Sequence, residues 1–217
     1  MTLMLLRHTA RLSLAALLAG TAISAVAHAR VTTTVDASAL QQEQDAVNPN
    51  PAHDPQYVLA NLTEVSPFNL AYVVADEWKK GNKQRASFWF YIWQIRTDAW
   101  VSGVDEEGFK LYRNMMSDEM GRTINTWIMA DPALMRDTAQ RAIAYEAKLP
   151  LSNMRPDDMS EADWMAIISK SRSDYATDFN EAFAEMSDEE IRAARQENGL
   201  PVGTPTDIGA PLDEEWR

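Results

Sequence analysis

The chain has 217 residues, of which 32 are acidic and 20 basic, for a formal net charge of −12. A surface of that sign repels nucleic-acid phosphates and anionic membranes and favours cationic partners, so nucleic-acid binding drops out as a function class. No cysteine is present, which removes disulfides and any lipid-attachment thiol, so the fold must hold by its core alone.

Residues 1–29 read as an export signal. Arg7 and Arg11 form a cationic start, 12–26 is an apolar and small-residue run, and Ala27-His28-Ala29 is a small-x-small cleavage site. Cleavage after Ala27 fits nearly as well as cleavage after Ala29. The apolar run is shorter than the ~20 residues of a membrane span, so the expected product is periplasmic or secreted, with no span in the mature chain. Removing Arg7 and Arg11 leaves 18 basic residues against 32 acidic ones, a charge of −14.

Residues 30–65 contain Asn48-Pro49-Asn50-Pro51 and Asp54-Pro55 and show neither a helical nor a strand period, which reads as an extended arm. Helix signals begin at Ser66-Pro67, an N-cap followed by proline at the first helical position, and this segment closes at Gly81. A second helix is expected over 83–102, with the densest apolar run of the chain, Phe88 to Trp93. A third covers 109–130 with an interruption expected near Gly121. Asp131-Pro132 repeats the cap-plus-proline signal and opens a fourth, which stops before Pro150. Ser160 with Asp163, and Ser187 with Glu190, have capping-box spacing and open the last two, the final one ending at Gly199. Residues 200–217, with three prolines and two glycines, read as a flexible tail. The expectation is an all-α domain of about six helices over 66–199.

The 66–100 hairpin, with Gly81 at its turn and Ala86 where the second helix meets the first, resembles a single tetratricopeptide or Sel1-like unit. The resemblance implies a helical hairpin that contributes to a protein-binding surface. It implies no catalysis.

On the second helix, Phe88, Ile92, Ile95 and Ala99 make one stripe, and Trp89, Trp93, Arg96 and Trp100 make another. Two readings follow: both stripes are core, or the tryptophan stripe is an exposed groove in which Trp89, Trp93, Gln94, Arg96 and Trp100 bind a partner. Asn125, between Ile124 and Trp127, is a further polar candidate for an inward pin or a ligand contact. His53 is the single histidine left after residue 29, which leaves no ordinary zinc set and no convincing Ser-His-Asp triad. No cofactor motif is present. The function expected from these features is a non-enzymatic envelope protein of immunity or inhibitor type that binds a cationic protein. The alternative is a carboxylate-dependent cell-wall hydrolase, which requires two carboxylates about 5–9.5 Å apart in one cleft.

Overall fold

The computed structural model describes residues 50–104, 107–149 and 155–216. Residues 1–29, read above as an export signal, and residues 30–49 of the expected arm lie outside the described residues. Among the described residues every regular element is helical: α1 (Pro55–Ala60), α2 (Leu70–Lys79), α3 (Lys83–Val104), α4 (Glu107–Ile128), α5 (Pro132–Glu146), α6 (Glu161–Ala184) and α7 (Asp188–Glu197). Single 3₁₀ turns at Pro51–His53, Pro67–Asn69 and Glu214–Trp216 complete the set. None of these helices is long and apolar enough to cross a membrane.

Helix α3 is the axis of the molecule. Its six successive residues Phe88, Trp89, Phe90, Tyr91, Ile92 and Trp93 are all buried, and a helix apolar around its whole circumference needs neighbours on every side. It has them in α2, α4, α5 and α6. The small stripe Ala139/Ala142 on α5 brings that helix close to α3. Gly121 does the same for α4, because a Cβ there would stand 3.2 Å from the Phe90 ring. The expected interruption at Gly121 is therefore absent; the glycine serves helix packing, and α4 runs through it unbroken.

The helix ends follow their capping chemistry. Asp131 accepts from the amides of Ala133 and Leu134, Ser160 from Asp163, and Ser187 and Glu190 form a complete capping box. Gly81, at φ +81°, makes the turn between α2 and α3 in the left-handed region that glycine enters without penalty. Arg195, fully buried, donates to the carbonyls of Thr126 (2.7 Å) and Pro201 (3.0 Å), placing a cation on the last turn of α4.

Two expectations need correction. The described end of the arm is folded: Asp54 caps α1 by accepting from the Gln56 amide, Val58 and Val65 are buried, and the Asn69 side chain donates to the Ala52 carbonyl at 2.7 Å. A six-residue helix is too short to display a period, so only its cap announces it. The tail is also packed. Leu212 and Trp216 are buried, and the Trp216 ring stacks on Phe88 at 5.1 Å and meets Trp89 edge-on at 5.2 Å. Arg85 lies 5.2 Å over that ring and binds Asp213 at 2.5 Å. The Ile208 carbonyl accepts from the Gln84 amide, and Asn82 Oδ1 accepts from the Ala210 amide. The tail thus closes over the α2–α3 turn, and two apolar anchors set in irregular chain hold it there.

Candidate functional site

The residues singled out on α3 do not form an exposed stripe. Trp89, Trp93, Arg96 and Trp100 are all buried, because α3 is enclosed on every side, and the reading of an open tryptophan groove is corrected on that ground. Trp89 packs against Tyr145 and Trp216, Trp93 stacks on Phe90, and Trp100 meets Phe68 and Phe109 edge-on at 5.5 and 4.7 Å. Each ring contributes burial of large apolar area and aromatic contact energy.

Gln94 is a cross-link between helices. Its Oε1 accepts from the Tyr175 hydroxyl of α6 at 2.8 Å, and its amide nitrogen donates to Ser117 of α4 at 3.3 Å. Arg113 donates to its backbone carbonyl and pairs with Asp98 at 3.3 Å, while Ser171 donates to the other oxygen of Asp98 at 2.8 Å. This network ties α4 and α6 to the axis, and burial holds the Tyr175 hydroxyl well above its ordinary titration range. Asn125 is half-buried on α4, and its Oδ1 is enclosed without a hydrogen-bond partner. It lines neither of the two cavities described below.

Arg96 is a core cation. Its Nη1 stands 3.7 Å from Glu146 Oε1, and Arg172 grips the same carboxylate with Nε at 2.7 Å and Nη2 at 3.0 Å. Burial pulls the Arg96 guanidinium below its usual range, and the Glu146 charge opposes that shift. Beside this cluster lies a cavity of about 20 Å³ reached by Trp100 and Trp164.

A larger concave surface lies elsewhere, between α2 and α4. Phe68, Tyr72, Val74, Trp78, Tyr112, Met116, Met120 and Ile124 line a groove of about 610 Å³, with Lys79 and Glu119 at its polar edge. Its apolar surface continues outward along α4: Tyr112 is 49% exposed, Leu111 60% and Met115 62%. On a helical projection Leu111, Met115, Tyr112, Met116 and Met120 form one broad arc, wider than contact with α3 requires. Exposed apolar residues in such continuity mark an interaction surface, and methionine supplies side chains that adapt to a partner's shape. No family model, curated protein or solved structure matches this chain.

The groove offers one carboxylate, Glu119, and the small cavity offers one, Glu146, already committed to arginines. A hydrolytic pair needs two. Among the described residues the carboxyls displaced from their ordinary range, Asp131, Glu190 and Asp207, are lowered, whereas a general acid needs a raised value. Among the described residues no group of three or more His, Cys, Asp or Glu side chains could hold a metal ion.

Sequence reading missed the groove. Its signal was present in the 109–130 segment, where apolar residues cover more of the helix circumference than one buried face needs. The tryptophans of α3, conspicuous in the sequence, lie on a helix that its neighbours enclose.

Proposed function

We propose that this protein is an exported binding module that takes an apolar, positively flanked helical segment of a partner protein into the groove between α2 and α4. The observation that carries the reading is the continuity of that groove with the exposed Tyr112, Leu111 and Met115 of α4. Helix-in-groove recognition uses apolar anchors one turn apart on the partner, and a floor of tyrosine, tryptophan and methionine suits such anchors. The partner's charge follows from this chain's own: with 32 acidic residues against 18 basic ones after residue 29, long-range attraction speeds the approach of a cationic protein. An immunity or inhibitor role against a basic envelope-targeting protein fits that chemistry, since it needs export and a complementary surface and no catalytic set.

The test is a pull-down from envelope and secreted extracts at two salt concentrations, comparing the wild type with Met116→Glu/Met120→Glu. One basic partner held by the wild type at low salt, weakened by added salt and lost in the variant, is the expected result. Equal recovery by both proteins would remove the groove from the binding event.

A further inference from the structure

The two walls of the α2–α4 groove run in the same direction. Phe68, in the turn that leads into α2, meets Phe109 and Tyr112 near the start of α4 with ring centroids 6.3 and 5.3 Å apart, and Trp78 at the end of α2 meets Trp127 near the end of α4 at 6.0 Å. These ring contacts join the walls at both ends. The Trp78 end is reinforced: Lys83 Nζ stands 5.1 Å from the centre of the Trp78 ring and 5.8 Å from that of Trp127, it pairs with Asp207, and Asp207 accepts from the Trp127 indole N–H at 2.9 Å. From Phe68 to Trp78 the chain advances roughly 15 Å at about 1.5 Å per residue, so a helix lying between the two closures has about ten residues, or three turns, in the groove.

The walls also select the backbone of the occupant. Both are helices whose main-chain groups bond within the helix, so the groove offers no edge to which an extended segment could pair, and such a segment would lay unmet polar groups on Val74, Trp78, Met116 and Met120. A helical segment satisfies its own backbone, and Ala71 and Ala75, one turn apart on the α2 wall, leave room for its close approach. The charged lining is Lys79 on α2 and Glu119 on α4, both exposed, and neither makes an ion pair or side-chain hydrogen bond with any described residue. The two charges are not level. Lys79 adjoins Trp78 at the closed end, whereas Glu119 lies two turns before Trp127 on α4, roughly 12 Å back along the groove.

Building on the groove reading above, we propose that Lys79 and Glu119 determine its specificity: the groove takes an amphipathic helical segment of about ten residues that carries an acidic side chain at the Trp78–Trp127 end and a basic one about two turns away. In that arrangement each charge of the segment meets its opposite, and the exchanged arrangement sets like charges together at both places. The net negative charge of the chain brings a cationic protein in, and these two side chains fix how its segment seats.

The test uses two fluorescein-labelled, alanine-rich peptides of roughly 15 residues, long enough to hold a helix, with leucines one turn apart. They differ only in the exchange of a lysine at the middle with a glutamate two turns away. Each is titrated by fluorescence anisotropy with the wild type and with Lys79→Glu/Glu119→Lys, which keeps the net charge of the chain and so its long-range attraction. The wild type binds the peptide with lysine at the middle on the order of tenfold more tightly than the other, as two exposed charge contacts turned from attraction to repulsion produce, and the exchanged variant reverses the preference. Equal affinity of the wild type for both peptides, with both lost in Met116→Glu/Met120→Glu, overturns the charge selection and leaves the groove reading standing; no saturable binding of either peptide overturns both. A wild-type dimer in sedimentation equilibrium that Met116→Glu/Met120→Glu dissociates assigns the groove to a second copy of the chain and also overturns the proposal.

Discussion

Replacing Glu146 by glutamine keeps the volume of the side chain and removes its charge. In the wild type this carboxylate, 2% exposed, receives Arg172 Nε and Nη2 at 2.7 and 3.0 Å and stands 3.7 Å from Arg96 Nη1. Glutamine retains one acceptor oxygen, but its amide hydrogens then face guanidinium donors, and the two arginines lose the negative charge they share. Removing one partner of a buried pair costs about 3–5 kcal/mol. Arg172 keeps some water contact, its side chain being 24% exposed, so the lower end of that range is expected. At 2–4 °C per kcal/mol for a chain of this size, a loss of about 3 kcal/mol lowers the melting temperature by roughly 6–12 °C. Circular dichroism at 222 nm during heating, with urea unfolding in parallel, measures it. The triple variant Arg96→Met/Glu146→Leu/Arg172→Met removes every charge at once and should recover most of the loss, because apolar replacement of an entire buried ionic group is often neutral or stabilising. A loss below about 1 kcal/mol in Glu146→Gln would refute the claim that this carboxylate is what makes the arginines tolerable in the core.

Three further outcomes follow from the packing. Trp216→Ala should cost about 3–5 kcal/mol, as truncation of a buried aromatic does, because the ring lies against Phe88, Trp89 and the Arg85 guanidinium; a change within about 0.5 kcal/mol in urea unfolding would mean the tail is loose after all. Gly209→Ala should destabilise more than Gly81→Ala in the same assay: both glycines have positive φ, but a Cβ at 209 would collide with the Gly81 carbonyl oxygen while one at 81 meets open space. Asp131 gives a pH dependence. Burial alone would raise its carboxyl, but the hydrogen bonds from Thr204, Leu134 and Ala133, with Arg192 nearby, outweigh that and leave it lowered. A carboxyl lowered on folding stabilises above its unfolded value and loses that contribution as pH falls through the folded value. Asp131→Asn, which preserves the cap oxygen, should thus lose about 0.5–1 kcal/mol at pH 7 and little at about pH 2; an equal loss at both would assign the effect to cap geometry.

Much of the fold was legible because local chemistry decides it. Asp131-Pro132, Ser160 with Asp163 and Ser187 with Glu190 each placed a helix start, and all three caps form. Of the two readings of the α3 stripes, the one that places both in the core agrees with the structure, where α3 is enclosed by α2, α4, α5 and α6. What escaped is nonlocal. Trp216 reaches Phe88 across more than a hundred residues, and no period in 200–217 announces that contact. Asp54-Pro55 carried the same cap signal as Asp131-Pro132, yet α1 spans six residues and leaves no amphipathic trace. The candidate site failed for a related reason. Composition marked the tryptophans of α3 as conspicuous, but whether a ring is groove or core depends on how many helices surround it. The surplus apolar arc of α4, from Leu111 to Met120, was the better clue.

Site-resolved photo-crosslinking tests the binding claim most directly. A photoreactive phenylalanine analogue at Tyr112, on the groove, is compared with one at Met165, which is 44% exposed on α6 and outside the groove. In envelope extract at low salt, the account predicts one basic partner covalently captured from Tyr112 through an apolar helical segment, with capture falling as salt rises and none from Met165. Equal capture at the two positions, or a product from Met165 alone, would contradict it.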